Sequence, residues 1–105
     1  MNIAILGTGM VGQTIGAALI KKGHNVMLGS RTATNEKAIA WKNENGTNAA
    51  NGTLADAAAF GELIFICLNG NGTVEALQSA NPANFENKVV IDLTNPLDFS
   101  NGMPP

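Results

Sequence analysis

Directly after the apolar run "NIAIL" (2–6) the chain reads Gly7-Thr8-Gly9-Met10-Val11-Gly12, with a further glycine at Gly16. Glycine weakens regular structure, so this density implies that something must come close to the backbone. The pattern G-x-G-x-x-G suits the pyrophosphate of a dinucleotide. Gly7 permits the tight turn, Gly9 admits the phosphates, and Gly12, like Gly16 one turn later, lets a helix lie close to a strand. The ligand's charge would face the amides near Met10 and Val11, at a helix N-terminus. The competing reading is a glycine turn that only packs tightly. A strand before the motif, a helix after it and another strand within about 30 residues favour the dinucleotide.

The second chemical signal lies in "LGSRTAT" (28–34). At this point NAD-binding domains carry an acid for the ribose 2′-hydroxyl, and here there is none. Ser30 offers a hydroxyl, Arg31 can pair with or stack over a 2′-phosphate, and Thr32 and Thr34 add donors. A charge-assisted bond contributes roughly 1.5–3 kcal/mol, so this group would favour NADP over NAD by at least about tenfold. A solvated surface Ser-Arg pair is the alternative.

These residues need a frame, and the hydrophobic pattern supplies one. Strands are expected at 2–6, buried on both faces at the centre of the sheet, at 25–29, at 63–68 ("LIFICL") and at 88–93 ("KVVIDL"), the last also buried, with a short edge strand at 49–51. Helices are expected at 10–22, stopped by Gly23 and turned inward by Val11, Ile15, Ala18 and Leu19, and at 34–46, with Ala38, Ile39 and Trp41 inward. A short helix "LADAAAF" begins at a capping box of Thr53 and Asp56, and a further helix spans 73–80. This alternation predicts an α/β fold of the Rossmann type, a doubly wound parallel sheet of about five strands in the order 3-2-1-4-5. Residues 1–95 then form the NADP-binding domain and 96–105 a connector. Asn95, just past the fifth strand at the edge where ligands bind in such sheets, is expected on the nicotinamide side.

The 105 residues suit one domain, and 45% hydrophobic with 13% charged residues describes a globular chain rather than a disordered one. A net charge of −2 without a basic stripe argues against nucleic acid. Cys67 is the single cysteine, so no intrachain disulfide forms; core packing is expected of it, and a cytoplasmic location fits. No apolar stretch reaches membrane-spanning length. His24 follows the helix-stopping Gly23, and no pairing of Asp92 or Asp98 with a second titrating group is read from the sequence, so none is expected to catalyse. Trp41 is expected to pack the second helix, with adenine stacking as the alternative.

At "MNIAILGTGMVGQTIGAALIKKGHNVMLGSR", "LIFICL" and "VVIDLTNPL" the chain resembles the NADP oxidoreductase family that includes the coenzyme F420-dependent (deazaflavin) NADP reductases. The resemblance spans nearly all of the chain, and the glycine turn with Gly-Ser-Arg is its most specific part. It implies NADP bound at Gly7 to Gly12 and at Ser30 and Arg31, with Leu68 and Asn69 against the ribose or nicotinamide end. It also implies hydride transfer to a flavin-like or deazaflavin acceptor, and a possible homodimer. Family members continue well beyond this length, and the loop "NGNG" (69–72) is more polar than the family's, so the acceptor and the catalytic residues stay unknown. Two alternatives remain: the cofactor domain of a beta-hydroxyacid dehydrogenase or imino-acid reductase, and a non-catalytic dinucleotide-sensing module.

Overall fold

The computed structural model describes residues 1–68 and 73–93. Asn69 and Asn95 therefore lie outside the described residues, as does the connector. Five parallel strands, β1 (Asn2–Leu6), β2 (Asn25–Ser30), β3 (Ala49–Thr53), β4 (Leu63–Ile66) and β5 (Val89–Asp92), form one sheet ordered β3-β2-β1-β4-β5. The expected Rossmann-type order is thus observed. Helices α1 (Met10–Lys21) and α2 (Glu36–Asn45) cover one face; α3 (Leu54–Phe60) and α4 (Thr73–Ser79) cover the other.

Each face has its own core. Ile3, Ile5, Val26 and Leu28 pack with Ala38 and Trp41 beneath α1 and α2, while Ala4, Leu6, Ile64 and Ile66 pack with Leu54, Ala57 and Ala58. Alternate residues of β1 thereby serve opposite faces, as a pleated central strand requires. The small residues in and beside β3 have a packing reason. A Cβ on Gly52 would stand 2.9 Å from Asp56 Cβ, and one on Gly29 2.8 Å from Ala57 Cβ, so α3 can lie on β2 and β3 only because these positions are bare. β3 consequently pairs along Val26–Ser30 and runs to Thr53, beyond the expected 49–51. The capping box is formed: Thr53 Oγ1 accepts from Asp56 N at 3.0 Å, and Asp56 Oδ2 from Thr53 N at 3.1 Å.

Several expectations are corrected. β4 ends at Ile66 rather than 68, because its partner β1 turns away at Gly7. Helix α2 begins at Glu36, where Asn35 caps it by accepting from Ala38 N at 3.0 Å. Val11, Ala18 and Ile39 are exposed rather than inward. The face of α1 toward the sheet is instead built on Gly12 and Gly16, flanked by Ile15 and Leu19. All four residues of β5 are exposed, not buried: unlike β3 at the other edge, which α2 and α3 cover, β5 packs mainly against β4 among the described elements. No helix among the described residues is long and apolar enough to cross a membrane.

Trp41 packs as expected, 3% exposed, and its indole lies against α1 at Gly16. A Cβ at Gly16 would stand 2.6 Å from Trp41 Cζ2 and 3.2 Å from Ile5 Cδ1. In an unpacked helix Gly→Ala gains about 1 kcal/mol. Here overpacking costs about 1–3 kcal/mol and wins. Gly16→Ala is expected to lower the urea midpoint, read by the fluorescence of Trp41; a raised midpoint would show that the helices part easily.

Candidate functional site

The register brings three strand ends level. Leu6 pairs with Gly29 on one side and with Ile66 on the other, so the segments that follow, beginning at Gly7, Ser30 and Cys67, emerge side by side at the carboxyl edge. Gly7 N donates to Gly29 O and Cys67 N to Leu6 O, both at 2.8 Å, which extends the ladder by one step before the chains separate. The separation opens a cleft of about 350 Å³. It is lined by Gly7, Thr8 and Gly9 of the turn, by Gly29, Ser30 and Arg31 at the end of β2, by Asn35 and Lys37 at the start of α2, and by Cys67, Leu68, Leu54 and Ala76.

The glycines of the turn differ in what requires them. Gly7 has φ +128°, and a Cβ there would collide with the carbonyl oxygen of Cys67. At Gly12 a Cβ would stand 3.0 Å from Ile5 Cγ2. Gly9 has neither reason. Its backbone is extended, at φ −74° and ψ 174°, and a Cβ would meet nothing within 4 Å. Gly9 is also the N-cap of α1, without a side-chain cap, and the first turn carries no acid. The amides at this end of α1 therefore have no intrahelical acceptor, and the helix dipole adds positive potential at the cleft.

Charge across the cleft has one sign. Among the described residues lining it, the ionised side chains are Arg31 and Lys37, both exposed. Lys37 and Asn35 were not singled out from the sequence; the signal available was their position in the first turn of the helix that follows Arg31. Ser30 is 6% exposed and its Oγ donates to Thr32 O at 2.5 Å, so its proton shapes the Arg31 loop. Thr32 is exposed outside the cleft lining, with its Oγ1 3.5 Å from Thr34 Oγ1. Met10 and Val11, 82% and 60% exposed, are not among the residues that line the cleft, and Gly12 faces the sheet at Ile5.

Of the expected site residues, Gly7, Thr8, Gly9, Ser30, Arg31 and Leu68 converge on the cleft. His24 is at the other end of β2, its Nδ1 3.3 Å from the N-terminal amine. No group of three or more His, Cys, Asp or Glu among the described residues could hold a metal.

A parallel sheet in this order with a glycine turn at its carboxyl edge is a Rossmann-type domain, the class built to receive a nucleotide at that edge. The chain belongs to the NADP oxidoreductase, coenzyme F420-dependent family, whose model matches residues 2–96. Among solved structures it is similar to an Arthrobacter sp. FB24 protein provisionally assigned as an F420-dependent NADP reductase, at 39% identity and TM-score 0.84, covering 100% of this chain and 50% of that one. An imine reductase from Streptomyces aurantiacus follows at 26% identity and TM-score 0.73, covering 90% and 32%. A Plasmodium falciparum pyrroline carboxylate reductase with NADP bound shares the fold at 12% identity and TM-score 0.66, covering 90% and 34%. The chain thus spans half the length of the first and about a third of the others. No curated protein sequence matches it.

Cys67 stands half-buried in the cleft wall, and its thiol is pushed above its ordinary value by burial first and by the charge of Asp92 second. It is a neutral, weakly nucleophilic wall residue at physiological pH. Labelling by Ellman's reagent is expected to be slower than for a free cysteine and to rise only at higher pH. A rate profile matching free cysteine would refute the burial.

Proposed function

We propose that this domain binds NADP(H), with the pyrophosphate over Gly9 and the first amides of α1 and the 2′-phosphate between Arg31 and Lys37. Gly9 carries the reading. Neither its backbone angles nor any protein atom requires a glycine there, yet Gly9 lines the cleft with open space beside its Cα. That room suits a group from outside the chain, and the uncapped helix N-terminus beside it suits an anion. The cations on the α2 wall suit a second anion, and no carboxylate among the described lining residues competes for the ribose as an NAD-type acid would.

When bound, NADPH would supply a hydride, or NADP+ would accept one. The chain's own residues would then bind and orient: Arg31 through a planar fork that fits phosphate, Lys37 as a point charge, and Leu68 as an apolar wall for the ribose or nicotinamide end. Asn69 and Asn95 complete the proposed cofactor set. Direct hydride passage needs positioning more than proton transfer, which agrees with a cleft whose one cysteine is held neutral. Membership of the family supports a flavin-like or deazaflavin acceptor. The likeness to an imine reductase supports a second reading, in which the same cofactor domain serves an imine substrate.

Calorimetric titration with NADPH and NADH tests the site. Arg31→Ala is expected to weaken NADPH at least about tenfold and NADH less than about twofold, since one charge-assisted bond to the 2′-phosphate is lost. Gly9→Ala is expected to weaken both cofactors while lowering the thermal midpoint by no more than about 4–8 °C, the effect of roughly 1 kcal/mol for alanine in place of glycine at an N-cap. Absence of NADPH binding by the wild-type chain would overturn the assignment. Oxidation of NADPH by deazaflavin but not by a cyclic imine supports the first acceptor; the reverse supports the second.

A further inference from the structure

Two hydrogen bonds that the proposed cofactor contacts do not use run in series from α2 to the glycine turn. Trp41 Nε1 donates to the backbone oxygen of Gln13 at 3.0 Å. Gln13 Nε2 donates to the backbone oxygen of Thr8 at 2.7 Å. Both bonds are partly buried, and the indole is seated on α1 by the bare Gly16. Thr8 sits between the two glycines that define the turn; their backbones are held by the Gly7 N to Gly29 O and Gln13 N to Gly9 O bonds, and the Thr8 carbonyl between them is held by the Gln13 side chain. Its carbonyl is the group that would repel a pyrophosphate if the peptide rotated.

We infer that Gln13 and Trp41 are positioning residues for the pyrophosphate turn, resting on the NADP(H) reading above. Gln13 draws the Thr8 carbonyl toward its own carboxamide, which keeps that oxygen away from the phosphates and leaves the following amides free to meet them. Trp41 holds Gln13 in turn. Trp41 lies four residues after Lys37, so the two share a face of α2, and the link also sets how far the 2′-phosphate wall stands from the turn. Neither residue touches the cofactor; each acts through a backbone oxygen.

The test uses three probes on the full chain: NADPH, NADH and adenosine 2′-monophosphate, which carries the ribose phosphate without the pyrophosphate. Gln13→Met keeps length and volume but removes the donor. It is expected to weaken NADPH and NADH by the same factor, about two- to tenfold for one hydrogen bond, and to leave adenosine 2′-monophosphate within about twofold. Trp41→Phe is expected to act in the same direction, and the double variant to be less than multiplicative because both act through one link. Gln13→Lys, which restores a donor, is expected to recover part of the loss. Unchanged NADPH binding in Gln13→Met would overturn the inference. So would an equal loss of adenosine 2′-monophosphate, which marks general loosening. If the wild-type chain binds none of the probes, the NADP(H) reading itself fails and takes this inference with it.

Discussion

At Gly7 the backbone turns with φ +128° directly against the carbonyl of Cys67, and the geometry of the cleft depends on that contact. Any side chain at Gly7 would push β1 and β4 apart, because the clash is with backbone rather than with a movable side chain. Held together, the two strands end level with β2, and three connecting segments leave the sheet at one place. The cleft is therefore a consequence of strand register closed by one bare Cα. Its chemistry comes afterwards, from what each segment carries.

The same edge explains how a chain of net charge −2 can present a cationic pocket. Arg31 and Lys37 sit on one wall while the first turn of α1 contributes partial positive charge from the floor. Over a few ångströms these local sources outweigh the net charge, whose effect is screened within about 8–10 Å at ordinary salt. Phosphate recognition here needs position, not a basic protein.

Much of this arrangement is legible in the sequence because backbone demands leave residue signatures. The buried runs of β1 and β4, the stop at Gly23, the Thr53 and Asp56 box and the Gly-Ser-Arg step all encode local geometry, and the observed strand order follows from their alternation. What was not legible depends on neighbours. Val11 and Ile39 look inward on a helical wheel, yet only the crossing of helix and sheet decides which arc is covered, and on α1 that arc is built on glycines. The apolar β5 reads as a buried strand, and its exposure arises because, unlike β3 at the other edge, it packs mainly against β4 among the described elements. Lys37 looks like any surface lysine of an amphipathic helix until the start of α2 is located at Glu36.

Gln13 shows the same limit in a sharper form. Along the sequence it is a polar residue in a helix, one step after the motif, and its type suggests only solvent exposure. In the fold its backbone oxygen takes a bond from one helix partner and its carboxamide gives one to the turn. A glycine-rich loop has little intrinsic rigidity, since each glycine loses more conformational freedom on ordering than any other residue. Glycines that make room for phosphate thus create a need for restraint nearby, and the restraint must come from residues that stay out of the cleft. The Gln13 and Trp41 bonds meet that need from behind the turn, which is why the motif and its support are adjacent in space but not recognisable together in the sequence.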